Sequence, residues 1–283
     1  MSTNSNIRSV LQQAITELKP MSISPRFDAE ILMAHVLEVD RAYLITHSHA
    51  ELEPLQQEHF NKLVEQRKTG QPIAYILGKK GFWTFELSVN EHTLVPRPET
   101  EILVEQALKL IPENQAQTIA DICTGTGAIG LAIALERPMS NVHATDIDGH
   151  ALEIACINKD NLKIDNIELL HGDLYSALPD DNEQNYDMIV SNPPYIDKND
   201  SHLQHITMQH EPRHALIAED QGMAIIEKLL KNCKPYLKPE GFLLLEHGHD
   251  QKQKIENLCK EFHLNYIMGC QDYQALDLSL IHI

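Results

Sequence analysis

The chain has 283 residues, of which 42% are hydrophobic, and it carries a formal net charge of −18 at pH 7. This length suits one large domain or two modest ones, and the composition is ordinary for a globular protein. The 23 basic residues are dispersed rather than gathered into a phosphate-binding face, and no apolar run reaches the ~18 residues that span a bilayer, so we expect neither direct nucleic-acid binding nor membrane insertion.

Residues 1–80 have the pattern of a small helical bundle. The apolar residues of the first helix share one face, which consists of Ile7, Val10, Leu11, Ala14, Ile15 and Leu18. Ser24-Pro25 predicts an N-cap followed by a proline in the first helical position of a second helix. A third helix is predicted to begin near Pro54 and to end at Gly70. We expect these helices to form an N-terminal domain.

Residues 81–97 change character and predict a β-hairpin that links two domains. The β-forming residues are Phe82, Trp83, Phe85, Leu87 and Val89, and Asn90-Glu91-His92 follows them as a turn. Pro96 and Pro98 keep this segment out of a helix. A helix is then predicted to open at Glu99-Thr100-Glu101, where acidic side chains favour the positive helix end.

From Thr118 onward, strand and helix patterns alternate. The predicted strands are Thr118–Ile122, Val142–Thr145, Ile167–Leu170, Tyr186–Val190, Phe242–Glu246, Leu264–Met268 and Leu276–Ile281. The predicted helices are Ala128–Glu136, His150–Asn161, Met223–Cys233 and Gln251–Phe262. Such alternation is typical of a doubly wound, mainly parallel sheet. The predicted fold class is therefore α/β, with residues 98–283 as the second domain.

A rigid corner follows the predicted strand Tyr186–Val190. Its residues are Asn192, Pro193, Pro194 and Tyr195. Prolines cannot donate to a sheet ladder, so the strand must end there, and ligands of open α/β sheets bind just beyond such strand ends. One side-chain amide, one backbone carbonyl and one aromatic ring suit the binding of a planar NH2 group. The alternative is a plain strand-ending turn.

A glycine-containing loop, Asp121–Gly130, joins the first strand of this region to a helix. Gly125 and Gly127 permit positive φ and close approach of a ligand, and the helix start offers free N–H groups. The loop lacks the G-K-[ST] of a phosphate-binding P-loop. It therefore indicates a dinucleotide or nucleoside site, or only a tight turn.

Acidic residues follow the next two strands. Asp146 lies about twenty residues beyond the glycine loop, where an acid meets ribose hydroxyls in nucleoside-binding α/β folds. Its alternatives are a solvated acid or a helix N-cap, for which Asp148 is the better candidate. Asp173 either accepts a hydrogen bond from the exocyclic amine of a base or is an ordinary loop acid. Glu246 at the end of a later strand either supports the site or is also a loop acid.

Taken together, the loop 121–127, Asp146 and the corner 192–195 resemble, in order and spacing, the class I S-adenosylmethionine-dependent methyltransferases. The corner is similar to that of enzymes that methylate an amino group conjugated to a π-system. A narrower resemblance covers nearly the whole chain, on the segments Gly70–Tyr75, Val95–Glu101, Ser191–Asp197 and Phe242–Gly248. These look like the bacterial peptide chain release factor glutamine methyltransferases, the PrmC/HemK family.

This resemblance implies a Rossmann-like methyltransferase domain that transfers a methyl group from S-adenosylmethionine, leaving S-adenosylhomocysteine. The acceptor would be the glutamine of the Gly-Gly-Gln motif in class 1 release factors. The implied substrate-binding residues are Asn192, Pro193, Pro194, Tyr195 and Arg97, of which Asn192, Pro193 and Tyr195 are catalytic. The implied cofactor-binding residues are Asp121, Cys123, Thr124, Gly125, Thr126, Gly127, Asp146, Asp173, Leu174 and Asn192. Arg97 has the alternative role of an ion-pair partner.

The chain departs from the family pattern at three places. Cys123 stands where the family has its first loop glycine, and Leu174 stands where some relatives have an aromatic residue. The segment Asp272–Asp277 lacks the family's glycine and arginine, which puts the final hairpin in doubt.

Other features of the sequence bear on cellular location, partners, cysteine chemistry and metal binding. The N-terminus lacks a signal-peptide pattern, so we expect a cytoplasmic protein. We also expect it to act as a monomer. The net charge favours a basic partner or serves solubility alone. Five scattered cysteines without a C-x-x-C pair predict reduced thiols, and the histidines at 202, 205, 210 and 214 lack a metal-binding frame, so no metal is expected.

Three alternative functions remain open at this point. One is methylation of a glutamine in a ribosomal protein, since a sister family shares the corner and the helical domain. Another is methylation of adenine N6 in nucleic acid, against which the acidic charge argues. The third is a binding protein with a decayed methyltransferase fold, against which the intact glycines, Asp146 and Asn192 argue.

Overall fold

A computed structural model of the chain describes residues 6–179, 185–205, 207–271 and 277–282. They divide into two compact units. The first contains the chain up to Gly78 together with Ser201–His210, and the second contains Lys79–Asp200 and the chain from Glu211 onward. Within the described ranges, no helix is both long and apolar enough to cross a bilayer.

The first unit is helical. It contains α1 (Ile7–Leu18), α2 (Pro25–Leu37), α3 (Arg41–Thr46), α4 (Pro54–Lys68) and α5 (Ile73–Leu77), with 3-10 turns at Ser201–Gln204 and Met208–His210. The three predicted helices are confirmed as α1, α2 and α4. The additional helices α3 and α5 span six and five residues, which is too short to show a helical period in the sequence.

Apolar side chains from α1, α2 and α4 form the core of this unit. Leu18, Leu32, Met33 and Phe60 are fully buried in it. A buried ion pair, in which Arg67 Nε lies 2.7 Å from Asp28 Oδ2, joins α4 to α2. The predicted capping by Ser24 is wrong in one respect: its side chain makes no cap bond, because it lies toward the Asp28 carboxylate instead.

A short hairpin opens the second unit. Strands β1 (Lys79–Phe82) and β2 (Phe85–Ser88) pair antiparallel, from Lys79↔Ser88 to Phe82↔Phe85. The hairpin predicted over 81–97 is therefore shorter and begins earlier. Residues 89–97 form no strand, because a turn held by the Asn90 side chain and the prolines at 96 and 98 interrupt pairing.

An α/β sandwich follows the hairpin. Its elements are α6 (Thr100–Leu110), β3 (Thr118–Ile122), α7 (Ala128–Glu136), β4 (Asn141–Asp146), α8 (Gly149–Leu162), β5 (Ile167–His171), β6 (Tyr186–Ser191), β7 (Ile196–Asp197), α9 (Arg213–Leu216), β8 (Ile217–Ala218), α10 (Ala224–Asn232), β9 (Leu237–Leu245), α11 (Lys252–Glu261), β10 (Asn265–Gln271) and β11 (Asp277–His282). In the described residues the main sheet has the order β10-β11-β9-β6-β3-β4-β5, and β9, β6, β3, β4 and β5 run parallel. The predicted fold class is confirmed.

The final hairpin is present. Strands β10 and β11 pair antiparallel from Asn265↔His282 to Gln271↔Asp277, and β11 pairs antiparallel with β9. The atypical segment between these strands, residues 272–276, lies outside the described residues. The departures seen in the sequence thus do not prevent the antiparallel end of the sheet from forming.

The order of the strands places a crevice between β3 and β6. From β3 the chain adds β4 and then β5 on one side, and β6 returns to pair with the opposite edge of β3. The loops that follow β3 and β6 therefore leave the sheet in different directions at its carboxyl edge, which is where doubly wound folds bind ligands. The glycine loop and the proline-rich corner are these two loops.

Candidate functional site

The glycine loop after β3 is held in shape by a buried carboxylate. Asp121 Oδ2 accepts hydrogen bonds from Thr124 Oγ1 at 2.5 Å and from the Gly130 N–H at 2.8 Å. Asp121 is fully buried, and this burial raises its pKa to about 7. The residue therefore ties the end of β3 to the loop and to the first turn of α7.

The loop backbone takes a left-handed conformation three times. The φ angles are +62° at Cys123, +56° at Gly125 and +82° at Gly127. A Cβ on Gly127 would lie 2.9 Å from Leu131 Cδ1, whereas a Cβ on Gly125 would meet no atom within 4 Å. Gly127 thus permits close packing on α7, and Gly125 leaves open space beside the loop. Burial and the nearby Asp146 raise the pKa of the Cys123 thiol, which keeps it protonated.

Asp146 at the end of β4 faces the same loop. Its Oδ2 accepts from the Gly125 N–H at 2.8 Å, and its Oδ1 accepts from the Asp148 N–H at 3.0 Å. Burial raises the pKa of this carboxyl. A carboxylate accepts about four hydrogen bonds, so acceptor capacity remains for two hydroxyl groups of a ligand. The prediction that Asp148 caps α8 is confirmed, because its side chain accepts from the His150 N–H.

The corner after β6 is joined to two distant elements by hydrogen bonds. Asn192 Nδ2 donates to Thr100 Oγ1 at 3.2 Å, and Thr100 Oγ1 donates to Glu246 Oε2 at 2.8 Å. The Tyr195 hydroxyl donates to Glu246 Oε1 at 3.1 Å. The start of α6, the end of β9 and the corner therefore meet at one carboxylate.

Glu246 is the buried centre of this network. Only 3% of its surface is exposed, and burial raises its pKa to about 6. The hydrogen bonds from Thr100, Tyr195 and Asn192 act in the opposite direction and favour the ionised form, while the charge of Glu99 raises the pKa further. The sequence left open whether Glu246 supports the site, and its contacts support that role.

A cleft of about 740 Å³, part of it open to solvent, lies between the glycine loop and the corner. Its walls come from the segment before α6, the glycine loop, the end of β4, the start of α8, the corner and the start of α9. The lining residues are His92, Thr93, Leu94, Pro96, Arg97, Thr100, Cys123, Thr124, Gly125, Thr126, Ala128, Ile129, Asp146, Ile147, Ala151, Asn192, Pro194, His214 and Ala215.

Comparison with known proteins gives the family. Residues 9–78 match the family model described as PrmC N-terminal domain, and residues 99–215 match the one described as Methyltransferase small domain. Release factor glutamine methyltransferase of Coxiella burnetii is 41% identical over 276 residues, which cover 98% of each chain. That of Escherichia coli (strain K12) is 42% identical over 263 residues, 93% of each chain. This chain belongs to the release factor glutamine methyltransferase family.

The similar solved structures support the fold and nothing further. A methyltransferase from Pyrococcus furiosus aligns with a TM-score of 0.53 at 18% identity, covering 78% of this chain and 96% of that one. A ribosomal protein L11 methylase from Lactobacillus delbrueckii subsp. bulgaricus aligns with a TM-score of 0.50 at 19% identity, covering 68% of this chain and 82% of that one. The second unit of this release factor glutamine methyltransferase family member therefore has a methyltransferase fold.

The structure brings most of the predicted residues of this family member into the cleft. Those that line it are Arg97, Cys123, Thr124, Gly125, Thr126, Asp146, Asn192 and Pro194. Asp121 lies beneath the loop, and Gly127 packs on α7. Asp173 is exposed, Leu174 packs against the core at φ +48° and Pro193 is buried, and none of these three residues belongs to the lining.

Two predicted substrate-binding residues have structural partners. Arg97 Nη2 lies 2.6 Å from Glu211 Oε1, and Glu211 Oε2 accepts from the Val95 N–H, so the ion-pair interpretation of Arg97 fits its geometry. Tyr195 packs against the core, donates to Glu246 and is not among the residues that line the cleft, so its contact with the substrate amide stays a prediction. The sequence patterns did not indicate Glu211 and Thr100 as site residues, since their partners lie 114 and 146 residues away in the chain.

Three histidines after the corner, His205, His210 and His214, have separate partners. His205 Nδ1 lies 3.0 Å from Thr207 Oγ1, His210 Nε2 lies 3.0 Å from the Thr69 carbonyl, and His214 Nε2 lies 3.1 Å from Asp148 Oδ2. In the part of the chain that the structure describes, no three metal-ligating side chains come together.

The residues of the cleft fit S-adenosylmethionine. The open space beside Gly125 would accommodate the ligand against the loop backbone, and a Cβ at this position would project into that space. The spare acceptor capacity of Asp146 matches ribose hydroxyls, and the exposed Ile147 next to it offers apolar contact for a base. Asn192 lies across the same cleft, so donor and acceptor sites are neighbours.

Proposed function

We propose that this protein transfers a methyl group from S-adenosylmethionine to the side-chain amide nitrogen of the Gly-Gly-Gln glutamine in class 1 peptide chain release factors. The family membership supports the substrate class, with 41% identity over 98% of both chains. The observation that carries the chemistry is the position of Asn192. Its Nδ2 donates to Thr100, and within the described residues its Oδ1 has no protein partner, so an acceptor is available in the cleft.

The difficulty of the reaction lies in the acceptor. The lone pair of a carboxamide nitrogen is delocalised into its carbonyl group, and no side chain of the cleft is basic enough to remove an amide proton. Bound S-adenosylmethionine supplies a methyl group that is already electrophilic. The task of this chain is therefore to hold the amide in the reactive orientation.

The corner can do this with two acceptors. Asn192 Oδ1 and the Pro193 backbone carbonyl would each accept one N–H of the glutamine amide, which directs the nitrogen toward the methyl group. The same acceptors stabilise positive charge as it grows on the nitrogen, and the amide proton then leaves to solvent. Such orientation contributes up to ~7–11 kcal/mol in well-held systems.

We also infer how this protein associates and where it acts. The protein acts as a monomer in the cytoplasm and makes no direct contact with nucleic acid. The net charge of −18 supports the last point, because it repels phosphates, and it favours basic surfaces on the substrate. Light scattering would test the monomer, and a gel-shift with duplex DNA at low salt would test the absence of nucleic-acid binding.

The decisive experiment is the intact mass of purified class 1 release factors after incubation with the protein and S-adenosylmethionine. A gain of one methyl group, lost when the Gly-Gly-Gln glutamine of the release factor is changed to alanine, would support the proposal. Methylation of a ribosomal protein or of adenine in DNA, with the release factor unmodified, would replace it with one of those functions. Cofactor binding without any transfer would indicate a binding protein.

A further inference from the structure

We propose that Glu246, both directly and through the hydroxyl of Thr100, fixes which end of the Asn192 amide faces the substrate. Thr100 and Glu246 are thus positioning residues. This inference rests on the proposed function, because it concerns how the same corner receives the glutamine amide. It goes beyond the corner itself, since neither residue belongs to the motif Asn192–Tyr195.

The side chain of asparagine has two nearly equivalent orientations. Its oxygen and NH2 group have similar size, and the terminal torsion is roughly two-fold, so only the partners decide which group points where. In the cleft the two orientations are chemically opposite. With the oxygen outward, Asn192 accepts from the substrate NH2; with its own NH2 outward, two donors would face one another.

Thr100 has a single hydroxyl proton, and that proton is committed. Thr100 Oγ1 donates to Glu246 Oε2 at 2.8 Å, where an ionised carboxylate can only accept. Toward Asn192 the hydroxyl oxygen can then only accept. The Asn192 atom 3.2 Å away must be the NH2 nitrogen, and Oδ1 is left for the cleft.

Glu246 is itself held in one arrangement. Its backbone N–H donates to the Ser191 carbonyl at 3.0 Å, which continues the pairing of β9 with β6 up to the corner. The Tyr195 hydroxyl donates to Oε1 and the Thr100 hydroxyl donates to Oε2, and the Asn192 side chain also hydrogen-bonds this carboxylate. Both Glu246 and Thr100 are more than nine-tenths buried, so water does not compete for these hydrogen bonds.

The first test removes the hydroxyl without changing the shape. For Thr100→Val we expect kcat for release-factor methylation to fall about tenfold, the effect of one lost orienting hydrogen bond. Thr100→Ser, which restores the hydroxyl, should recover most of this loss. The affinity for S-adenosylhomocysteine should stay within about threefold of the original protein, because the change acts on the acceptor side.

Thr145→Val is the matched control. Thr145 lies fully buried on β4, and its Oγ1 has no hydrogen-bond partner among the described residues. We expect its kcat to equal that of the original protein. If Thr100→Val retains full kcat, or if Thr145→Val loses as much, the proposal is wrong, because the hydroxyl then has no special role.

The second test changes the carboxylate. Glu246→Gln keeps the shape of the side chain but places an NH2 donor beside the Thr100 and Tyr195 hydroxyls, which are themselves donors. We therefore expect kcat to fall and the Asn192 amide to lose its single orientation. In the original protein, kcat should decrease as the pH falls through about 6, when the carboxyl of Glu246 gains a proton. The charged and titratable groups facing this cluster are Tyr195, Glu99 and Arg97. Glu246→Gln should lack this decrease of kcat at low pH. If the decrease persists in this variant, the proposal is contradicted.

A measurement without any substrate separates this inference from the proposed function. In ¹⁵N-labelled protein, the side-chain NH2 of Asn192 should give one set of slowly exchanging NMR signals, which becomes mixed or fast-exchanging in Thr100→Val. Identical signals in both proteins would overturn the inference even if release factors are methylated. A clear change, together with an original protein that leaves release factors unmethylated, would instead refute only the proposed function.

Discussion

At the scale of single residues, the cleft works by placing hydrogen-bond acceptors where its ligands carry donors. Asp146 offers spare carboxylate capacity on one side, and Asn192 offers an amide oxygen on the other. These two side chains lie at the carboxyl ends of different strands, with Asp146 the last residue of β4 and Asn192 directly after β6, and both line the cleft. Substitution at one should therefore affect cofactor affinity, and substitution at the other should affect transfer.

Replacing Asp146 by alanine should weaken cofactor binding. Loss of the charge-assisted hydrogen bonds to ribose should cost roughly 1–3 kcal/mol of binding free energy. Isothermal titration with S-adenosylhomocysteine measures this directly. Asp165→Ala, at an exposed position before β5, is the control and should bind as the original protein does. Unchanged affinity in Asp146→Ala would contradict the ribose assignment.

At the scale of elements, the site depends on how strands end and helices begin. The sequence predicts β3 and α7 with the bounds that the structure has, because a continuous apolar run and a glycine loop mark both ends. It also predicts the end of β6, because two prolines stop pairing. It does not predict the relay from Glu246 through Thr100, because residues 146 positions apart meet only in the folded chain.

Gly127→Ala tests the junction between the glycine loop and α7. A Cβ at φ +82° and 2.9 Å from Leu131 Cδ1 is strained, so the free energy of unfolding should fall by about 1–3 kcal/mol. Gly149→Ala, at the start of α8, meets no atom within 4 Å and should be neutral or slightly stabilising. Urea unfolding of both variants measures the difference. Equal stability of the two would contradict this explanation of the glycine.

At the scale of the whole molecule, burial of acids gives the stability a pH dependence. Asp121 has a pKa of about 7 in the folded chain against 3.8 as its ordinary value. Since the folded pKa is the higher one, its contribution to stability is fully present below the ordinary value and is lost as the pH rises toward 7. The acidic surface, with a net charge of −18, adds repulsion that also grows with pH.

Asp121→Asn isolates the first of these effects, because asparagine does not titrate. The free energy of unfolding of the original protein, relative to this variant, should decrease as the pH rises from about 4 to about 7 and then level off. Urea unfolding at a series of pH values gives this difference, and the surface charge largely cancels in it. A difference that stays constant, or rises with pH, would show that Asp121 is not held as described.

The sequence predicts the overall architecture better than the details of the site. The helical pattern of the first unit, the alternating pattern of the second and the loop motifs all appear as local signals. Arg97 and Tyr195 show what local patterns leave out. Their types predict substrate contact, which stays a prediction, whereas their partners Glu211 and Glu246 come from distant parts of the chain. Such a pairing depends on a buried carboxylate that only the folded chain brings into place.

The central claim is that Asn192 presents an amide oxygen that orients the glutamine for methyl transfer. The most direct measurement is the rate at which purified release factor gains one methyl group with Asn192→Ala, with Asn232→Ala at the exposed end of α10 as the control. We predict that Asn192→Ala loses about 10²–10³-fold in rate while its affinity for S-adenosylhomocysteine stays within a few-fold, and that the control is unaffected. A rate in Asn192→Ala equal to that of the original protein would contradict the account.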